Sequence, residues 1–346
     1  MSNATNNAIM TKAKAMYGKR LTEEDYQALI NKKSIPEIAA YLKNQTHYKD
    51  CLANVNESKI HRGYLEMLIR QDQFVRFSRL IRYANAEDEK GFFRYGILKA
   101  EVLQILLCAR MLKNKDNVQM IAKLPIYFEK HIVIDLDELT KVKALPDLLN
   151  VLRKTPYYDI VFQYISGSIE TFDYTSLETA LMSYYYQEVL SMVDSNSKIK
   201  DPEAIHDIFK TGIELENITK IYRMKRYFNA TPQQINEVLT PTYFKISEKQ
   251  LKTMINELDD VRFLEALGNG PYGKYINPSN FVFMEYHTKV ITHYMHKKYM
   301  NFTVDPDLVL LCYMNLAETE VQNIVDIIEG VRYRIPVERM RNLLII

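Results

Sequence analysis

The 346-residue chain is poor in the residues that punctuate folds most strongly, with 10 glycines and 11 prolines. So few turn-formers suit long helices joined by few tight turns. Cysteine is scarce as well. Cys51, Cys108 and Cys312 are odd in number and far apart, which speaks against a disulfide frame or a metal knuckle and fits reduced core residues of a cytosolic protein. No run approaches the roughly 18–20 apolar residues of a membrane span, and Met1 to Met10 lack the apolar segment of a signal peptide, so a soluble protein is expected. Neither sign of charge is in excess. Lys and Arg total 45 against 43 Asp and Glu, a net charge of +2, which gives no general attraction to nucleic acid or anionic lipid. There is no Ser-His-Asp or Cys-His arrangement with a supporting motif, and no paired-carboxylate motif.

What the chain does have is repetition. Apolar residues make up 47% and charged residues 25%, an ordinary globular composition for a length that usually divides into two or three lobes. One pattern occurs three times: an acid, Asn or Gln three residues on, Ile next, and another apolar residue three further. Its copies are Glu101, Gln104, Ile105, Cys108 and Arg110; Glu214, Asn217, Ile218, Ile221 and Arg223; and Glu320, Asn323, Ile324 and Ile327, where Glu329 replaces the final Arg. The steps are 113 residues from Ile105 to Ile218 and 106 from Ile218 to Ile324. A period near 110 is too long for a small solenoid unit of roughly 20–50 residues and reads as three related helical lobes.

A second signature recurs at another phase. Thr46-His47-Tyr48, Thr155-Pro156-Tyr157 and Gly270-Pro271-Tyr272 each close an apolar segment with a turn and a Tyr, at steps of 109 and 115 residues. Helix starts precede them at Leu21-Thr22-Glu23-Glu24, Leu136-Asp137-Glu138 and Ile246-Ser247-Glu248, where a side-chain oxygen caps free N–H groups and the acid suits the helix dipole. Leu65-Glu66, Leu177-Glu178 and Met284-Glu285 form a further matching element. The chain is expected to be all-α, with lobes at 1–113, 114–227 and 228–346; His131-Ile132-Val133-Ile134 is a short apolar run without a partner strand. The 92–112 helix, apolar nearly all round (Val102, Leu103, Ile105, Leu106, Leu107), is expected to be buried between neighbours.

Three features imitate chemistry. Gly268-Asn269-Gly270-Pro271-Tyr272-Gly273-Lys274 fits both G-x-G-x-x-G and the first seven positions of a P-loop, yet Tyr275 stands where a magnesium-binding hydroxyl belongs and Arg262 to Leu267 reads as helix, not strand. His287, His293 and His296 with Glu285 are read as a solvated polar helix face, since no H-E-x-x-H occurs and Lys297 and Lys298 repel a cation. Arg70, Arg76, Arg79 and Arg82 curl round a helix by roughly 60° per three-residue step and, with Asp72 nearby, read as a solvated or ion-paired face. No catalytic, cofactor-binding or metal residue is assigned.

The threefold repeat, the Glu214-x-x-Asn217-Ile218-x-x-Ile221-x-Arg223 copy, the Tyr turns, the opening Ala13-Lys14-Ala15-Met16 with Leu21-Thr22-Glu23-Glu24-Asp25-Tyr26, and the ending Ile335-Pro336-Val337-Glu338-Arg339-Met340-Arg341-Asn342-Leu343-Leu344 resemble the C subunit of prokaryotic V-type (A-type) ATPases, the counterpart of the eukaryotic d subunit. The resemblance spans the whole chain. It implies a non-catalytic, funnel-shaped rotor component of three similar lobes around a pseudo-threefold axis. It also implies partners: the D–F central shaft and the membrane proteolipid ring, at the cytoplasmic face and without a transmembrane span. The basic run Lys220, Arg223, Lys225 and Arg226 and the acids Glu257, Asp259, Asp260 and Glu265 are the patches expected to seat the shaft. A free helical scaffold for soluble proteins is the alternative, and an enzyme using the 268–275 loop the third reading.

Overall fold

A computed structural model describes residues 3–82, 92–114, 131–165 and 172–346. Among these residues every regular element is a helix, so the chain is all-α. The breaks expected at Glu87 to Gly91 and at Leu124-Pro125 lie outside the described residues. His131 to Ile134 forms turn and bend.

Local chemistry sets most helix starts. Thr22, Thr231 and Ser247 cap the helices Glu23–Ile30, Pro232–Glu237 and Glu248–Glu257, each in a capping box closed by Asp25, Gln234 or Gln250. Ser34 caps Ile35–Gln45 and Asp201 caps Pro202–Phe228, with Pro36 and Pro202 in first turns where a missing N–H costs nothing. One expected cap is displaced. Leu136–Leu139 is capped by Asp135, whose side chain accepts from the Glu138 amide, and Asp137 is a first-turn acid.

The chain folds into two compact units. The first joins Met1–Asp88 to His293–Ile346. Here the long helix Pro306–Arg332 packs against Asn3–Tyr17 and Arg62–Ile81. Leu29, Ile38, Leu42, Leu65 and Ile69 meet Ile324, Ile327 and Ile328 in its core, each side chain contributing about 1.5–3 kcal/mol by leaving water. The second unit is Glu89–Thr292. Within it, Ile218 and Ile221 on Pro202–Phe228 pack with Phe263, Leu267 and Ile276. The apolar positions of the recurring pattern are therefore core residues in both units.

The helix Arg94–Asn114 is buried on most faces, but not all round as its composition suggested. Leu103 is 43% exposed. It shares a stripe at i, i+4, i+7 and i+11 with Leu107, Arg110 and Asn114, which leans toward solvent.

Candidate functional site

The recurring acid is the centre of a repeated hydrogen-bonding node. Glu101 accepts from the Tyr157 hydroxyl at 2.5 Å and the Val133 amide at 2.6 Å. Glu214 accepts from the Tyr272 hydroxyl and from the amides of Phe244, Lys245 and Ile246. Glu320 accepts from the Tyr48 hydroxyl at 2.9 Å and the Leu21 amide at 2.7 Å. In each case a buried carboxylate on a long helix holds the turn Tyr and the backbone just before the next capped helix. The tyrosines are equally matched: Tyr48 and Tyr157 are 0% exposed and Tyr272 is 2%.

The pairing also has a direction. Glu101 and Glu214 reach forward 56 and 58 residues to their tyrosines, whereas Glu320 reaches back 272 residues to Tyr48. The third node is thus completed by an N-terminal segment, which is why residues 1–88 and 293–346 fold as one unit.

The Asn of the pattern has a separate task. Asn217 donates to the Thr240 carbonyl at 2.7 Å and accepts from the Thr240 amide at 3.0 Å. Asn323 makes the same reciprocal pair with Ile345, at 2.7 and 3.1 Å. Only a carboxamide supplies both a donor and an acceptor here, so an ionised acid would not replace it. Gln104 is buried at the matching position.

The third node carries more charge than the others. His47 Nε2 lies 2.9 Å from Glu320, and Arg76 lies 3.5 Å from the same oxygen, donates to the Tyr48 hydroxyl and pairs with Asp72 at 2.9 Å. Burial alone would raise the Glu320 carboxyl, but His47, Arg76 and the Leu21 amide outweigh it and hold the group below the usual carboxylate range. At Glu101 burial wins over the Tyr157 and Val133 hydrogen bonds and the carboxyl is raised. The Arg stripe is thereby resolved: Arg76 is a buried, ion-paired member of the node, while Arg70, Arg79 and Arg82 are exposed. Its sequence signal was His47, standing where the other two turns have Pro156 and Pro271.

The irregular end of the third copy is a rewired ion pair. Arg223 meets Glu285 at 3.3 Å, whereas Glu329 is bridged by Arg62 at 2.7 Å, and Arg62 also binds Glu66 at 2.8 Å. Glu66 and Glu285 are matching positions, so Arg62 joins two acids where the second copy has a direct pair.

The basic run is largely tied into the chain's own contacts, although the Arg223 and Arg226 side chains stay 54% and 53% exposed. Lys220 donates to Thr179 and to the Val238 carbonyl, Lys225 to the Ile255 and Leu258 carbonyls, and Arg226 pairs with Asp260 at 2.8 Å. Asp259 caps the helix Asp260–Gly268. These groups tie helices together because a Lys near a helix C-terminus satisfies its orphan carbonyls.

The glycine-rich turn follows that helix and continues as turn through Tyr275, so no α-helix starts at Lys274 and the strand-loop-helix geometry of a phosphate loop is absent there. Its glycines serve close packing. A Cβ at Gly273 would collide with the Gly268 carbonyl oxygen, so Gly273→Ala should destabilise by about 1–3 kcal/mol in urea unfolding. The histidines are a correction too. His287, His293 and His296 are 6%, 8% and 2% exposed, not solvated. On Met284–Phe302, His293, His296 and Met300 lie at i, i+3 and i+7 and share the inward stripe. His287 bonds the Tyr275 carbonyl and accepts from the Val282 amide. Among the described residues no helix is long and apolar enough to cross a membrane.

Both carboxylate oxygens of Glu101, Glu214 and Glu320 accept from the chain's own donors, an arrangement that fastens helices together. Comparison with known proteins agrees with the repeat. The family described as ATP synthase (C/AC39) subunit matches residues 9–343. The chain is 25% identical over 329 residues to the C subunit of the A-type ATP synthase of Methanosphaera stadtmanae, covering 90% of this chain and 80% of the relative. It is 28% identical over 233 residues to the same protein of Desulfurococcus sp. strain SY, covering 66% of this chain and 59% of the relative. With its Thermococcus kodakarensis counterpart the identity is 24% over 234 residues, 66% of this chain and 60% of that one. With a family match running from residue 9 to residue 343, the chain belongs to the ATP synthase (C/AC39) subunit family.

Proposed function

We propose that this chain is a non-catalytic stalk subunit of a V-type (A-type) ATPase, seating the D–F shaft on the membrane proteolipid ring from the cytoplasmic face. The observation that carries this reading is the thrice-repeated Glu–Tyr node, which spends every buried carboxylate of the pattern on joining helices. Torque transmission asks for stiff packed helices and not for an active site, and buried, fully paired polar nodes supply stiffness. Three similar lobes, bounded near residues 113 and 227, would close into a funnel about a pseudo-threefold axis, since each lobe offers a like face to the next. No catalytic, cofactor or metal residue is assigned.

Co-purification tests the partners. Affinity capture of the tagged chain from gently solubilised membranes should bring down the shaft subunits and the proteolipid ring. Capture of soluble proteins alone, with no ATPase subunit, would favour the free-scaffold reading.

A further inference from the structure

The first unit contains a cavity of about 390 Å³ between the end of Asn3–Tyr17, the start of Glu23–Ile30 and the helix Pro306–Arg332. Arg20, Arg76, His293 and Lys297 line it together with Glu23 and Glu320. Two of these charges are already engaged, because Arg76 and Glu320 belong to the third node. Arg20 and Lys297 are not. Arg20 contacts the Tyr17 carbonyl and ring, Lys297 lies over the Tyr294 ring, and neither has an acidic partner among the described residues. His293, one turn before Lys297 on Met284–Phe302, is 8% exposed, with both ring nitrogens sealed from solvent and not hydrogen-bonded among the described residues. A buried imidazole without a partner is unusual, because burying a polar group without one is costly.

We propose that this cavity binds a small phosphate-bearing anion, with its oxygens taken by the Arg20 guanidinium and the Lys297 ammonium. Donors converging from a turn and a helix suit an oxyanion with several acceptors, and guanidinium and ammonium groups recognise phosphate by charge-assisted hydrogen bonds. The volume lies at the low end of small-molecule sites, roughly 300–1,000 Å³, which suits a compact phosphate or diphosphate. Electrostatics favours the same class. Burial, then the charges of Lys297 and Arg20, push the His293 imidazole down to about 4, so it is neutral at pH 7 beside two cations that an anion would offset. Glu23 is exposed and at the rim, where solvent screens it.

The proposal stands independently of the coupling role. Its test is calorimetric titration of the full chain with inorganic pyrophosphate at low ionic strength. Saturable binding is expected, weakened at least about tenfold in the double variant Arg20→Ser/Lys297→Ser, which removes two charge-assisted hydrogen bonds from exposed or half-buried side chains. Flotation with phosphatidic acid vesicles separates the two sources of phosphate: vesicle binding that depends on Arg20 and Lys297, without pyrophosphate binding, assigns a lipid headgroup. No saturable binding of either probe, or pyrophosphate binding undiminished in the double variant, overturns the proposal.

Discussion

Glu320→Leu destabilises the first unit by about 3–5 kcal/mol, because it removes the buried carboxylate that His47 and Arg76 share, leaves Arg76 with Asp72 alone, and strips acceptors from the Tyr48 hydroxyl and the Leu21 amide. Urea unfolding measures the loss, and hydrogen exchange at Leu21 should accelerate in parallel. The matching change at the first node is much milder. The cation acting on Glu101 is Arg94, only half-buried, and a Gln at 101 keeps a carbonyl oxygen for Tyr157 or Val133, so Glu101→Gln should cost at most about 1 kcal/mol at pH 7. The two carboxyls also titrate with opposite consequences. The Glu320 value is depressed in the folded protein, so its stabilisation is fully present above the ordinary carboxylate pKa, about 4.3, and is lost as pH falls through the lower folded value. The Glu101 value is raised, so its folded form favours the proton, and stability falls as pH rises through that higher value. Glu320→Gln should therefore flatten the acid limb of the stability profile, and Glu101→Gln should not. Equal losses for the two variants at pH 7 would mean that the Arg76 and His47 contacts contribute nothing at the third node.

The repeat itself was legible because helical period, caps and Tyr turns are local signals. The all-α class, the caps at Thr22, Thr231 and Ser247, and the likeness of Tyr48, Tyr157 and Tyr272 follow from short stretches of sequence. What joins the acids to the tyrosines was not legible. Those bonds span 56, 58 and 272 residues, and no local pattern says which carboxylate meets which hydroxyl. The contacts of the charges were hidden for a similar reason. Lys220, Lys225 and Arg226 read as a patch for a partner, and nothing local tells that their long stems let the heads reach carbonyls and acids on neighbouring helices. The histidines read as solvated in the sequence because Lys297 and Lys298 stand beside them. His293 and His296 lie on the other stripe, with Met300. Glu329 looked like a defect of the third copy until Arg62 was seen to bridge it to Glu66.

Removing the whole chain is the change with the largest expected functional effect. On the proposed role the chain is a mechanical link whose buried carboxylates fasten helices, and hydrolysis would belong to other subunits. On that role, loss of the link would leave the shaft unseated on the ring, and rotation driven by ATP would no longer move ions. The prediction is all-or-none for transport and nearly neutral for hydrolysis, a split that neither a catalytic component nor a free scaffold would produce. The most direct measurement compares membrane vesicles from cells with and without the chain, following phosphate release and ATP-driven ion uptake in the same preparation. The account predicts that without the chain the soluble sector still hydrolyses ATP while ion uptake is abolished, and that uptake returns when purified chain is added back. ATP-driven ion uptake at its normal rate in vesicles lacking the chain would contradict it.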